Sequence, residues 1–87
     1  MYVLGVIMKK YNLIFLRTGK LLLSRKQYSN WREIQDEYDD YMASLDFESL
    51  LDVQDYIKMD YNLTLDKAKQ EVNRINQTSD ETVEIDI

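Results

Sequence analysis

The sequence contains no cysteine, no histidine and no proline, and glycine occurs only at positions 5 and 19. Without cysteine the fold cannot use disulfides or thiolate zinc sites, and the composition suits a reducing compartment. Without histidine the chain lacks both the most common general base and the most common zinc ligand. The scarcity of glycine and proline argues against long flexible linkers. We therefore expect one domain, residues 1–87, that depends on its hydrophobic core for stability.

The longest apolar stretch near the N-terminus, residues 2–8, is too short to cross a membrane and ends at Lys9 and Lys10. It also lacks the basic residues that precede the apolar part of an export signal. We expect no membrane association and a cytoplasmic location.

Charge is distributed unevenly along the chain. The first 32 residues carry seven Lys or Arg and no acid, whereas residues 33–66 carry eleven acids and one Lys. The formal net charge of the whole chain is −5. Because a negative surface repels phosphates, direct DNA binding is not expected. The acidic segment is the most distinctive feature of the sequence.

The basic region, residues 1–28, has the composition of β-structure, with a turn expected at residues 9–12. Thr18-Gly19 indicates a hairpin, because glycine readily takes positive φ. The apolar runs are continuous, which predicts a sheet covered on both faces, for example by helices on one and a partner chain on the other. The predicted strands are residues 2–8, 13–17 and 20–25.

The acidic region, residues 29–76, is expected to form three amphipathic helices. Asn30 and Glu33 have the spacing of a capping box, Asp46 is the expected start of the second helix, and Thr64 is the expected cap of the third. The predicted helices cover residues 31–45, 47–60 and 65–76.

The inner positions of the helices follow from their apolar spacing, which is 3, 4, 3 and 4 residues in the first. In the first helix these positions are Trp31, Ile34, Tyr38, Tyr41 and Leu45. In the second they are Phe47, Leu50, Leu51, Val53 and Ile57. In the third they are Leu65, Ala68, Val72 and Ile75.

The C-terminal segment, residues 77–87, is a tail or an edge strand, since apolar and acidic residues alternate at its end. The predicted fold is α+β, with a small antiparallel sheet of N-terminal strands packed by three amphipathic helices, and the C-terminal segment joins this sheet if it forms an edge strand.

Carboxylates are the only catalytic groups present in number, but helical spacing places them on outward, solvated faces. Paired catalytic acids need a partly dry cleft that separates their pKa values. The sequence also lacks a Gly-rich phosphate loop and a calcium-loop pattern, and its serines have no histidine to activate them. We predict no enzymatic activity, no cofactor and no metal.

The acids of the first two helices recur at helical spacing and should form two outward stripes. Such rows of negative charge can occupy a groove that binds nucleic-acid phosphates. Tyr56 is expected on the outer side of the second helix, where an aromatic side chain can anchor a contact. The predicted partner-binding residues are Glu33, Asp36, Glu37, Asp39, Asp40, Glu48, Asp52, Asp55 and Tyr56.

This short, acidic, Tyr-rich composition without Cys, His or Pro is similar to that of small phage or mobile-element proteins that inhibit host machinery. Some anti-CRISPR proteins and other inhibitors of DNA-binding proteins in this group act as DNA mimics. The resemblance is one of composition and assigns no role to any residue. It implies a non-enzymatic viral-type inhibitor or adaptor that binds a basic, nucleic-acid-binding host protein.

Other functions are compatible with the same sequence. Helix 65–76 fits the reading helix of a helix-turn-helix regulator, and the basic N-terminal hairpin fits a nucleic-acid surface with Tyr11 and Tyr28 for stacking. The basic charges can instead complement the acidic helices. The acidic faces can serve solubility alone, and an apolar sheet face can join copies in a homodimer or larger oligomer.

Overall fold

The computed structural model describes residues 10–87, which form an α+β fold. The elements are β1 (Tyr11–Leu16), β2 (Leu21–Ser24), α1 (Trp31–Glu37), β3 (Tyr41–Phe47), α2 (Leu50–Asp60), α3 (Leu65–Asn73), a 3-10 helix (Arg74–Gln77) and β4 (Thr82–Ile85). These strands form one antiparallel sheet in the order β3-β1-β2-β4. The predicted fold class is confirmed. The strand predicted at residues 2–8 lies outside the described residues.

The hairpin of β1 and β2 closes through a three-residue loop. The Leu16 N–H donates to the Lys20 carbonyl at 3.0 Å, and the Gly19 N–H donates to the Leu16 carbonyl at 2.9 Å. Gly19 has φ 92°, which is the positive value that this type of loop requires at its last position. The hairpin predicted from Thr18-Gly19 is confirmed. The turn predicted at residues 9–12 is wrong, because Tyr11 already begins β1.

The central strands are buried on both faces of the sheet, because successive side chains point to opposite sides. Leu13 packs with Val53 on the side of α2 and α3, which we call the front face. Ile14 packs with Ile34 of α1 on the other side, which we call the back face. The continuous apolar runs are thus explained by helices on both faces. The chain's own α1, rather than a partner chain, covers the back face.

The first helix is shorter than predicted. It ends at Glu37, and residues 41–47, expected as its continuation, form β3 instead. The Tyr41 N–H donates to the Tyr38 carbonyl at 3.1 Å within the turn that separates the two elements. The apolar spacing in this segment fits a helix, but pairing with β1 supplies a full strand ladder that local spacing cannot reveal. Trp31, predicted to face inward, is 51% exposed, and Leu45 is also exposed.

The second and third helices lie close to their predicted positions. α2 begins after Ser49, whose side chain accepts a hydrogen bond from the Asp52 N–H, so Asp46 is not its start. Val53 is buried as predicted, whereas Leu51 is exposed. Thr64 caps α3, as expected, by accepting from the N–H of Lys67.

Three predicted inner residues of the third helical segment are buried, and Leu65 is exposed. The buried residues are Ala68, Val72 and Ile75.

The C-terminal strand pairs with β2 at one edge of the sheet, which confirms the predicted edge strand. Its approach is fixed by Arg25, which donates to the carbonyls of Ile75 at 2.8 Å and Thr78 at 3.1 Å. The hydroxyl of Thr82 also donates to the buried Ser24 hydroxyl at 2.9 Å. These contacts join the end of the chain to the N-terminal hairpin.

The inward and outward faces of α2 can be tested with two alanine substitutions. Ile57 is 0% exposed and Met59 is 82% exposed, although they are only two residues apart. Ile57→Ala should lower the free energy of unfolding by about 2–5 kcal/mol, because it leaves a cavity in the core. Met59→Ala should change it by less than about 0.5 kcal/mol. Urea unfolding of both variants measures this, and equal losses would contradict the packing of α2 described above.

Candidate functional site

The predicted acidic residues occupy two layers of the molecule rather than two adjacent helical stripes. Glu33, Asp36 and Glu37 belong to α1 on the back face, and Asp52 and Asp55 belong to α2 on the front face. The single long carboxylate ladder expected on the first helix is therefore wrong.

The remaining acids of the segment lie near the ends of β3, which connects the two layers along the chain. Asp39 and Asp40 are in the turn that precedes β3, Asp46 is its second-last residue and Glu48 follows its end. β3 is also an edge strand of the described sheet. The structure thus groups these acids around one edge of the sheet.

Two of the predicted partner-binding acids are used within the chain. Glu33 accepts a hydrogen bond from the Ser29 N–H at 2.8 Å, which stabilises the start of α1. Glu37 accepts from the Lys26 ammonium and from the Tyr28 hydroxyl. The hydrogen bond from Lys26, followed by that from Tyr28, holds the pKa of Glu37 below its usual range. The role that the structure shows for these two carboxylates is to stabilise the fold.

The other predicted acids have no such partner among the described residues. Within residues 10–87, no ion pair or side-chain hydrogen bond involves the carboxylates of Asp36, Asp39, Asp40, Glu48, Asp52 and Asp55. All are exposed except Asp40, which is half-buried. We call these six residues the acidic surface.

Tyr56 does not have the exposed position predicted for it. Its ring lies 5.5 Å from the ring of Phe47 and packs against the front-face core. Burial, and then the neighbouring Asp60 carboxylate, raises the pKa of Tyr56. The exposed apolar residues of β3, Met42 and Leu45, were not predicted, because the apolar spacing placed them on a helix.

Five of the ten Lys and Arg residues in the described range form ion pairs or hydrogen bonds with other groups of the chain. Lys10 pairs with Asp46 at 3.2 Å, Lys26 pairs with Glu37, and Arg25 binds backbone carbonyls. The two ion pairs agree with the alternative interpretation of the sequence, in which basic charges of the N-terminal region complement acids of the same chain. At the hairpin tip, Arg17 and Lys20 remain exposed.

The third helix offers few available bases for nucleic acid. Glu71 binds Lys67 at 3.2 Å and Arg74 at 3.0 Å, which occupies two of the cations that a reading helix needs. Lys69 remains exposed. The helix-turn-helix alternative therefore gains no support from the geometry.

A concavity of about 300 Å³ lies on the back face, between the start of α1 and the sheet. Asn12 is 7% exposed, and no hydrogen bond joins its side-chain amide to another residue of the described range. Trp31 forms part of the wall and stacks on Tyr41 with ring centroids 6.5 Å apart. Ser44 and Asp46 of β3 also line it. A polar floor beside an aromatic wall suits the binding of a small polar group.

Residues 10–87 lack two kinds of feature. They contain no helix that is long and apolar enough to cross a membrane. They also contain no group of three or more Asp or Glu side chains arranged to hold a metal ion. Comparisons with protein families, with curated proteins and with solved structures found no match for this chain.

The buried Glu71 predicts a pH-dependent contribution to stability. Its side chain is 5% exposed. Burial acts to raise the pKa of Glu71, but hydrogen bonds from the Asp86 N–H, Arg74 and Lys67 outweigh it and keep the pKa below the ordinary 4.5. A carboxyl group with a lowered pKa in the folded state stabilises the fold above pH 4.5, and this stabilisation is lost as the pH falls through the lowered pKa.

Glu71→Gln should therefore lower the free energy of unfolding at neutral pH by about 1–3 kcal/mol, because charged hydrogen bonds are lost at a buried site. The difference from the wild type should shrink as the pH falls from about 4.5 through the lowered pKa, because the carboxyl is protonated first in the unfolded chain and last in the folded one. Urea unfolding over a range of pH measures this, with the exposed Glu81→Gln as the control. A difference that stays constant down to low pH would contradict the assignment.

Proposed function

We propose that this protein is a non-enzymatic inhibitor or adaptor that docks its acidic surface on a basic partner protein. The observation that supports this most directly is the separation of its charges. The acidic surface has no cation partner within the described residues, whereas Lys26, Arg25 and Arg74 are engaged elsewhere in the chain.

An exposed group of like charges carries an electrostatic cost that a partner can relieve. Carboxylates close together repel one another and lower the stability of the compact state. A surface rich in Lys and Arg removes that repulsion and speeds association by attraction at long range. Surfaces of this kind occur on proteins that bind nucleic-acid phosphates, so we propose a nucleic-acid-binding protein as the partner.

The arrangement also defines the shape of the partner. Asp36 lies on the back-face layer and Asp52 on the front-face layer, with the edge strand β3 between them along the chain. Since α1 and α2 both contact β3, a partner can reach both residues by enclosing the β3 edge in a groove. A basic cleft, of the kind that holds a nucleic-acid strand or duplex, has this shape.

The proposal can be tested with two variants that lose the same number of charges. The first combines Asp36→Asn, Asp40→Asn, Glu48→Gln and Asp52→Asn within the acidic surface. The matched control combines Asp66→Asn, Asp80→Asn, Glu81→Gln and Glu84→Gln, which are exposed acids elsewhere. Each protein is used to capture partners from a nuclease-treated lysate of its native cells, followed by mass spectrometry.

The wild type and the control should retain the same basic protein, and the first variant should lose it. Added duplex DNA should displace that protein from the wild type, and captured amounts should fall as salt rises. Undiminished capture by the first variant, or loss in both variants alike, would contradict docking through the acidic surface.

A further inference from the structure

The structure points to the edge of β3 that no other described strand pairs with as the place where an extended segment of the basic partner adds a further strand to the sheet. This inference rests on the proposed function and gives it a binding mode. Addition of a strand uses main-chain hydrogen bonds for affinity and alternate side chains for specificity.

The register of the sheet identifies which backbone groups face outward on β3. The hairpin bond from the Leu16 N–H to the Lys20 carbonyl makes Ile14 and Asn12 the residues of β1 that bond to β2. The intervening Leu13 and Phe15 therefore bond to β3, opposite Leu45 and Ala43. It follows that the N–H and C=O groups of the alternate β3 residues, Ser44 and Asp46, point away from the sheet.

The opposite edge of the sheet is blocked by side chains. On β4, the carbonyl of Glu84 accepts a hydrogen bond from Arg74 at 2.6 Å. Just beyond the strand, the N–H of Asp86 donates to Glu71 at 2.9 Å. No hydrogen bond of this kind reaches the backbone of Ser44 or Asp46 from any other described residue. One edge is thus closed by Glu71 of α3 and Arg74 of the 3-10 helix, and the other is open along the described part of the chain.

The open edge carries few of the residues that protect edge strands, and Asp46 is the only charged residue of β3. β3 is seven residues long, and its sequence YMASLDF contains no proline and no lysine. The pairing irregularity opposite Leu16 lies at the start of the strand and leaves the part from Ala43 to Phe47 in regular register with β1. An incoming strand therefore meets a regular ladder.

The charges around β3 identify the occupant. Asp39 and Asp40 lie before the strand and Glu48 lies after it, so both ends are acidic. Two copies of this chain joined along β3 would bring these like charges together, which is unfavourable. A segment with Lys or Arg at each end is complementary. Its back-face side chains would lie beside the polar concavity at Ser44, and its front-face side chains beside the exposed Leu45.

The experiment uses a capped synthetic peptide with the length of β3, with Lys at each end and alternating Val and Thr between. Ser44→Pro removes the outward N–H, and proline is tolerated at edge positions that face solvent. Ser44→Ala is the matched control, because both variants lose the hydroxyl contact with Tyr41 but alanine keeps the N–H. The affinity of the peptide should fall about tenfold or more in Ser44→Pro and stay near the wild-type value in Ser44→Ala.

A second probe leaves the protein unchanged. The same peptide with every backbone nitrogen between its ends methylated keeps its charge and side chains but cannot donate to a ladder from either edge, so it should lose binding to the wild type. Hydrogen exchange followed by NMR should show slowed exchange at the Ser44 and Asp46 amides only with the unmethylated peptide. Equal binding of the two peptides, or of the protein with and without proline at position 44, would overturn the strand-addition proposal.

The outcomes separate the two proposals. If a peptide with Glu at both ends binds as well as the one with Lys, acidic docking itself fails. If Lys is required but methylation has no effect, only the binding mode fails. Protection of the Ser44 and Asp46 amides before peptide is added, or a dimer mass by light scattering, would show that the edge is already occupied and would overturn the inference.

Discussion

The fold depends on a two-sided burial constraint at the strands β1 and β2. Their side chains are apolar in succession, so Leu13 requires cover on one face of the sheet and Ile14 requires it on the other. A chain of this length has few helices with which to cover both faces of the sheet. It places α1 on the back face and then crosses to the front face for α2 and α3. The crossing element is β3, and this gives β3 its position at the sheet edge between the two layers.

The features that the sequence could predict are those set by local chemistry. Gly19 marked the hairpin because its loop position needs positive φ, and Thr64 marked the start of α3 because its side chain caps the helix. The alternation of apolar and acidic residues before Ile87 marked β4, because successive side chains of a strand point to opposite faces. Each signal involves residues within a few positions of one another, so a single sequence carries it in full.

The boundary between α1 and β3 was not predictable in this way. Tyr38, Tyr41 and Leu45 have helical spacing, and a helix through them would have satisfied every local rule. What decides the structure is the ladder with β1, whose residues are about thirty positions earlier in the chain. The error then propagated to the site, because the acids near Tyr41 were placed on a helix when they lie in a turn.

The division of the acids into engaged and available groups is likewise a tertiary property. Glu37 and Asp36 are neighbours in sequence, yet only Glu37 meets Lys26 and Tyr28. Composition reveals how many acids the chain has, but it cannot reveal which of them pair with cations of the same chain. The available acids could be identified only once the partners of the others were known.

The two edges of the sheet show how this charge distribution relates to association. Glu71 and Arg74 bind each other and also bind the outward backbone groups at β4, so the ion pair that engages Arg74 also closes that edge. No equivalent side chains reach β3 from the described residues. An open edge strand carries a risk of self-association. The acids at both ends of β3 oppose pairing between copies while attracting a basic segment, so the same charges that discourage self-association select the partner.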